Sequence, residues 1–324
     1  SDLDGSYLHI PHNPLDKDTY FQTLEGRKGY NLTHLNAMFD LCNKLYVDAI
    51  VKPRMKNNEH KALTELVNRS SISGDVLLVA DRGYESYNAF AHIDRKGWKY
   101  VIRVKDINSQ GILSGLKLPD SDEFDIKIKL ILTRRSTNEV KANPEKYKIM
   151  RKNQSFEYFE QLQTDFYQIE FRVIRFKVSE GNYQAIITNT EPSEFSAREI
   201  SEIYQMRWGI ETSFRELKYA LGLTSFHAKK VESILQEVFA RLVMYNFCEL
   251  ITLHVIIRQK PTKYGYQANF TVAIQVCKYF FKCNVSPPDV EALIEKNILP
   301  IRPGRKDIRK TKLKAFVSFN YRVA

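Results

Sequence analysis

The five residues Val76-Leu77-Leu78-Val79-Ala80 form a continuous apolar run between Gly74-Asp75 and Asp81. A run this short, with no polar alternation, reads as a strand buried on both faces, the pattern of a parallel sheet covered by helices on each side. Asp81 stands at the C-terminal end of that strand, followed by Arg82-Gly83-Tyr84. Ser86 then fits the cap of a helix carrying Phe90 and Ile93, and Tyr100 to Val104 reads as a further strand. Upstream, residues 1–10 read as a strand, although Asp4-Gly5 inside it also suits a turn. Leu35, Ala37, Phe39 and Leu41 alternate with other residues, as do Leu45, Val47, Ala49 and Val51 after Cys42-Asn43-Lys44, which is a hairpin signal ended by Pro53. Asn58 is placed to cap a helix bearing Leu63, Leu66 and Val67.

That order is strand, hairpin strands, helix, buried strand, helix, strand. An antiparallel hairpin feeding a parallel segment predicts an α/β fold with an RNase H-like mixed sheet and flanking helices. Its first part spans residues 1–104. Residues 105–192 change character: Phe124, Ile126, Ile128 and Leu130 alternate with Lys127 and Lys129, and Phe171 and Val173 sit among Arg172, Arg175 and Lys177. They predict a β-rich insertion subdomain with one basic face. Residues 193–257 return to helical patterning as the second part of the core. Residues 258–324 form a helical and basic C-terminal region, with a helix expected over Ala268 to Phe281 and a long, largely apolar one over Val231 to Val255 just before it.

Ser196-Ala197-Arg198-Glu199 has the form of a capping box and predicts a helix running through Tyr204 to Lys218. On it Tyr204, Arg207, Glu211 and Lys218 fall within a sector of roughly 60°, beside an apolar stripe of Ile203, Ile210, Phe214, Leu217 and Leu221. Gly209 inside the run allows a kink or break. Charged helix faces are commonly solvated rows of ion pairs. A catalytic reading of this one needs partner carboxylates elsewhere.

Composition limits the partners. The net charge of +11, with pI near 9.3, favours anionic partners such as nucleic acid or an acidic membrane surface. From residue 301 onward eight Lys or Arg face one acid, Asp307, which is +7 of that total. No apolar run is long enough for a membrane span, and no signal peptide pattern opens the chain. Cys42, Cys248, Cys277 and Cys283 form no CxxC pair, and scattered thiols suit a reducing compartment and argue against structural zinc. His9 and His12 read as ordinary polar residues.

The partner carboxylates are Asp4 in the first strand and Asp81 at the end of the buried one. An RNase H-like sheet sets those two strands side by side, and a helix packed across them would bring Glu211 to the same place. Three clustered carboxylates repel one another unless a cation neutralises them. An all-oxygen set suits Mg²⁺ or Mn²⁺, and two such ions can activate a hydroxyl and stabilise a leaving oxygen at a phosphodiester. Arg207 and Lys218 could hold DNA phosphates and Tyr204 could hydrogen-bond or stack.

These motifs resemble those of bacterial insertion-sequence DDE transposases. Asp4-Gly5-Ser6, Ala80-Asp81-Arg82-Gly83-Tyr84, and Tyr204, Arg207, Glu211 and Lys218 with two, three and six residues between them match the three motif regions of the group whose signature is called YREK. The resemblance covers roughly residues 1–257. It implies Asp4, Asp81 and Glu211 as catalytic metal ligands for Mg²⁺ or Mn²⁺, two ions in all. Tyr204, Arg207 and Lys218 would contact DNA near the transposon end, and Arg82 would support Asp81 or touch DNA. It further implies cut-and-paste transposition through a hairpin, double-stranded DNA as partner at transposon ends and target, a homodimer on DNA, no membrane, and a bacterial cytoplasmic, nucleoid-associated location.

Two features depart from the family pattern. Only Ser1, Asp2 and Leu3 precede Asp4, where relatives carry a DNA-end-binding domain, so recognition of terminal inverted repeats is expected to be impaired in this stretch alone. Trp98 and Trp208 both lie outside the insertion, so an insertion Tyr or Phe would have to stack on a flipped base. Two other readings stand beside the transposase: a catalytically silent DNA-binding protein derived from one, and an RNase H-like nuclease. Retention of three carboxylates favours an enzyme, and the tetrad spacing favours a transposase.

Overall fold

The computed structural model describes residues 1–22, 28–257, 264–282 and 289–301. Strands β1 (Asp2–Ile10), β2 (Tyr20–Phe21), β3 (Tyr30–Asp40) and β4 (Leu45–Pro53) come first, then helix α1 (Glu59–Arg69). Next come β5 (Leu77–Ala80), α2 (Tyr87–Arg95) and β6 (Lys99–Val104). β1 pairs antiparallel with β3, β3 antiparallel with β4, and β1 and β6 flank β5 in parallel. The order β4-β3-β1-β5-β6, three antiparallel strands continuing into two parallel ones, is the RNase H-like arrangement expected from the element order. Asn58 caps α1 by accepting from the Lys61 amide; Ser86 precedes α2 but its side chain makes no capping bond.

The double-sided burial of β5 has a direct cause. Leu78 and Ala80 face a core built with Leu63, Leu66 and Val67 of α1 and Phe90 and Ile93 of α2. On the opposite face Val79 packs with Ile200 and Tyr204 of α5 (Ala197–Met206). The same face of β1 and β3, through Leu8, Leu35, Ala37 and Phe39, meets Ile210, Phe214 and Leu217 of α6 (Trp208–Tyr219) and Val238, Leu242 and Tyr245 of α7 (Val231–His254). Each such side chain taken fully out of water contributes about 1.5–3 kcal/mol, so α6 is held to the sheet by its apolar stripe.

Residues 105–192 supply β7 (Phe124–Thr133), α3 (Asn138–Ala142), β8 (Tyr147–Ile149), α4 (Tyr158–Gln161), β9 (Phe166–Ser179) and β10 (Asn182–Thr188). Their strands do not make a separate sheet: β10 pairs with β6, so β10-β9-β7-β8 prolongs the core sheet. The expected basic face is not there. Arg172 and Arg175 are buried, with Arg172 bidentate on Asp125 (2.6 and 2.5 Å) and Arg175 on Asp106 (2.7 and 2.9 Å). A guanidinium inside a protein has to be paired, and these two are. Lys127 and Lys129 are answered by Glu191 and Glu170.

After α7 come β11 (Tyr266–Ala268), α8 (Phe270–Lys282), α9 (Val290–Lys296) and β12 (Ile298–Pro300), with β11 and β12 paired antiparallel beside the helices. Cys283 and the basic stretch 302–324 lie outside the described residues. Among the described residues no helix is long and apolar enough to cross a membrane.

Candidate active site

Pairing of Leu3 with Ala80 across β1 and β5 sets the next residue of each strand, Asp4 and Asp81, at neighbouring positions. Even-numbered residues of β1 face the α5–α6 layer, as Leu8 and Ile10 show, and Asp4 shares that face. Asp4 keeps its position in a continuous strand, so Asp4-Gly5 is no turn. Gly5 is required for another reason. On the opposite face the His34 ring of β3 lies against it, and a Cβ there would run into the ring, 2.9 Å from Nε2.

The tetrad does not ride on one unbroken helix. The capping box forms as expected, with the Ser196 amide on Glu199 and the Glu199 amide on Ser196 Oγ, and α5 runs to Met206. The chain then tightens at Arg207, whose N–H bonds back to the Tyr204 carbonyl and whose carbonyl accepts from Ile210. These three-residue steps separate α5 from α6. Gly209 lies just beyond the break and lets α6 press on the sheet, since a Cβ there would sit 3.2 Å from Leu41 Cδ2.

Arg207, 6 % exposed, is the centre of the site. Its Nη1 donates to Asp4 Oδ2 (3.3 Å) and its Nη2 to Glu211 Oε1 (2.6 Å). Tyr204 donates its hydroxyl to Asp81 Oδ1 at 3.0 Å. Asp4 also accepts from the Gly5 amide at 2.7 Å. Burial pushes the Asp4 carboxyl up to about 6; the Gly5 amide and Arg207 oppose this, while the charges of Glu211 and Asp81 add to it. Burial pushes Asp81 the same way, but the Arg82 amide, the Arg207 charge and the Tyr204 hydroxyl outweigh it and leave the group below the usual carboxylate value. The Tyr204 phenol is pushed up to about 12 by burial and by Asp81 beside it.

The residues expected to grip DNA are thus engaged within the site. Tyr204 serves Asp81, Arg207 serves Asp4 and Glu211, and Lys218 donates to Ser6 Oγ on β1 (2.6 Å). Arg82 is exposed on the short turn after Asp81.

Asp2 was not among the expected site residues. It is fully buried two residues before Asp4, on the same strand face, and among the described residues neither of its carboxylate oxygens has a hydrogen-bond partner. Burial, and then the charge of Asp4, hold its carboxyl well above the ordinary value. The alternation Asp2-Leu3-Asp4 was the available signal, since residues two apart in a strand share a face. Glu59 at the start of α1 is raised by burial and by Asp81, and nothing in the sequence pointed to it.

The donor chemistry, carboxylate oxygen with no thiolate or imidazole, fits Mg²⁺ or Mn²⁺. In the present arrangement a guanidinium joins Asp4 to Glu211, and among the described residues no three His, Cys, Asp or Glu side chains stand together closely enough to hold an ion at once.

Residues 1–247 match the family model described as "Transposase DDE domain". The chain belongs to the DDE transposase domain family. The transposase for insertion sequence element IS421 from Escherichia coli is similar to this DDE domain, at 32% identity over 73 residues, which is 22% of this chain and 20% of that protein. The chain therefore spans about a fifth of the length of that relative. A solved piggyBac transposase synaptic complex with hairpin DNA aligns with 94% of the DDE domain chain and 59% of its own, at 10% identity and a TM-score of 0.45.

Proposed function

We propose that this domain cuts DNA at the ends of a mobile element and joins the freed 3′-hydroxyl to target DNA, by cut-and-paste through a hairpin, as a homodimer on DNA. The observation that supports this reading is the convergence of Asp4 from β1, Asp81 from just past the end of β5 and Glu211 from α6 around Arg207. Asp4, Asp81 and Glu211 would hold two Mg²⁺ or Mn²⁺ ions, which when bound supply activation of water or a 3′-hydroxyl and charge stabilisation at the phosphodiester.

The rest of the chemistry belongs to the chain. Tyr204 fixes the orientation of Asp81 by its hydroxyl, as an outer partner of a metal-binding carboxylate does. Arg207 neutralises Asp4 and Glu211 in the free protein and is positioned to turn its planar donors to a phosphate once those carboxylates are otherwise satisfied. Lys218, tied to Ser6, sets a second cation about three turns beyond Arg207, on α6.

The test is a Mn²⁺-dependent cleavage and strand-joining assay on a DNA end, with Glu211→Gln beside the parent. The variant should lose product below detection while binding the same DNA with nearly unchanged affinity. Cleavage by Glu211→Gln at the parent rate would overturn the assignment.

A further inference from the structure

A cleft of about 630 Å³ opens between the starts of α1 and α2 on one side and residues 110–114 and 148–157 on the other. Its size is within the range of about 300–1,000 Å³ typical of ligand sites, enough for a few groups of an unpaired strand and too small for a duplex. It opens one short turn along the chain from Asp81. Glu85 on its wall follows Asp81 by one short turn, that turn carries the exposed Arg82, and Gly83 within it abuts Glu59 of α1, where a Cβ would sit 2.9 Å from Oε2.

The cleft holds cations that the protein does not answer. Lys61 and Arg151 are exposed on opposite walls, and among the described residues neither side chain has a hydrogen-bond or ion-pair partner. Lys148 gives one hydrogen bond, to the Ser114 carbonyl at 2.6 Å. Burial, and then the like charge of Arg151, hold its amine below the ordinary lysine value. The acids of the wall are committed elsewhere. Glu85 accepts the Lys105 amide at 2.7 Å, and Glu157 accepts from Asn88 Nδ2 at 3.1 Å and faces His92 Nε2 at 3.2 Å. The like charges of Lys148 and Arg151 are a cost to the free protein that a phosphate would remove.

We propose that this cleft holds the backbone phosphates of the unpaired DNA strand leading away from Asp4, Asp81 and Glu211, with Lys61, Lys148 and Arg151 as its contacts and Arg82 bridging the turn between. The proposal rests on the DNA-processing reading above. A strand passing from the scissile phosphate over Arg82 enters the cleft at Glu85 and meets the three cations in turn. The remainder mixes side-chain amides with the rings of His60 and Tyr87 and the apolar Ile112, Ile149 and Met150, so it is the three cations that carry the phosphate assignment.

The experiment compares binding of a blunt duplex end with that of the same end carrying a single-stranded extension, across a salt series, for the parent and for Lys61→Ala/Arg151→Ala. Both substitutions are at the surface, and a thermal melt verifies the fold. Every single-strand phosphate that a cation no longer neutralises lowers the slope of log K against log salt by about 0.7, so the double variant should lose about 1.4 on the extended DNA and nothing on the blunt end. A folded variant with an unchanged slope on extended DNA overturns the cleft assignment and leaves the transposase reading in place. A parent protein that neither binds nor cuts either DNA overturns both.

Discussion

The guanidinium of Arg207 carries one positive charge into a space bounded by Asp4 and Glu211, within the field of Asp2 and Asp81. Its own pKa is lowered by desolvation but raised, on balance, by Tyr204, Glu211, Asp81 and Asp2 around it. Removing one partner of a buried charge cluster costs more than the pair is worth, because the remaining charges stay behind unpaired. Arg207→Ala should therefore lower the stability of the metal-free protein by roughly 2–3 kcal/mol, below the 3–5 of a fully buried pair because Glu211 is 36% exposed. Mn²⁺ should then raise the melting temperature of the variant more than that of the parent. Equal melting of the two proteins in chelator, with no difference in their response to Mn²⁺, would remove Arg207 from the centre of the site. Asp4, Asp81, Tyr204, Arg207 and Glu211 of this candidate site were legible as types and spacings, and Asp2 and Glu59 were not. The employment of Tyr204 and Arg207 was not legible either, because they spend their donors on carboxylates up to 203 residues away in the chain.

At the scale of elements, the site depends on β1 lying flat between β3 and β5, and Gly5 is the residue that allows it. Gly5→Ala should cost about 1–3 kcal/mol by overpacking against the buried His34 ring, read as a lower denaturation midpoint with unchanged m-value. A midpoint equal to the parent's would mean that His34 moves aside freely. The strands and hairpins were readable because alternation and double-sided apolar runs follow directly from which faces are covered, as β5 demonstrates with Leu78 turned to α1 and α2 and Val79 to α5. The break between α5 and α6 was only half readable. Gly209 signalled a weak point, but the tightening occurs at Arg207, where the side chain is pulled toward Asp4. The burial of Arg172 and Arg175 was hidden for the same reason as the pairings within the site: Asp125 and Asp106, which neutralise them, are 47 and 69 residues away.

At the scale of the molecule, α6 and α7 enclose a second acidic pair away from the site. The Tyr245 hydroxyl lies 3.2 Å from a carboxylate oxygen of each, Glu216 and Glu249, and has one proton to share between them. Burial, with Glu216 beside it and Lys44 opposing, pushes Glu249 up to about 7. A carboxyl raised above its unfolded value of about 4.3 favours folding fully below that value, and the contribution is lost as pH rises through 7. Glu249→Gln should accordingly raise the melting temperature at pH 8 and make little difference at pH 5; an equal effect at both would contradict the assignment. The net charge of +11 is a property of the whole chain, and +7 of it belongs to residues from 301 onward, almost all outside the described residues, so the fold itself presents a more balanced surface than composition suggested. The central claim is that Asp4, Asp81 and Glu211 together form a divalent-cation site, and the anomalous difference map from crystals grown with Mn²⁺ and a DNA end tests it most directly. The account predicts a peak at coordination distance from all three carboxylates, with Arg207 turned away from Asp4. Ordered DNA at the site with Mn²⁺ bound elsewhere, and Arg207 still joining Asp4 to Glu211, would contradict it.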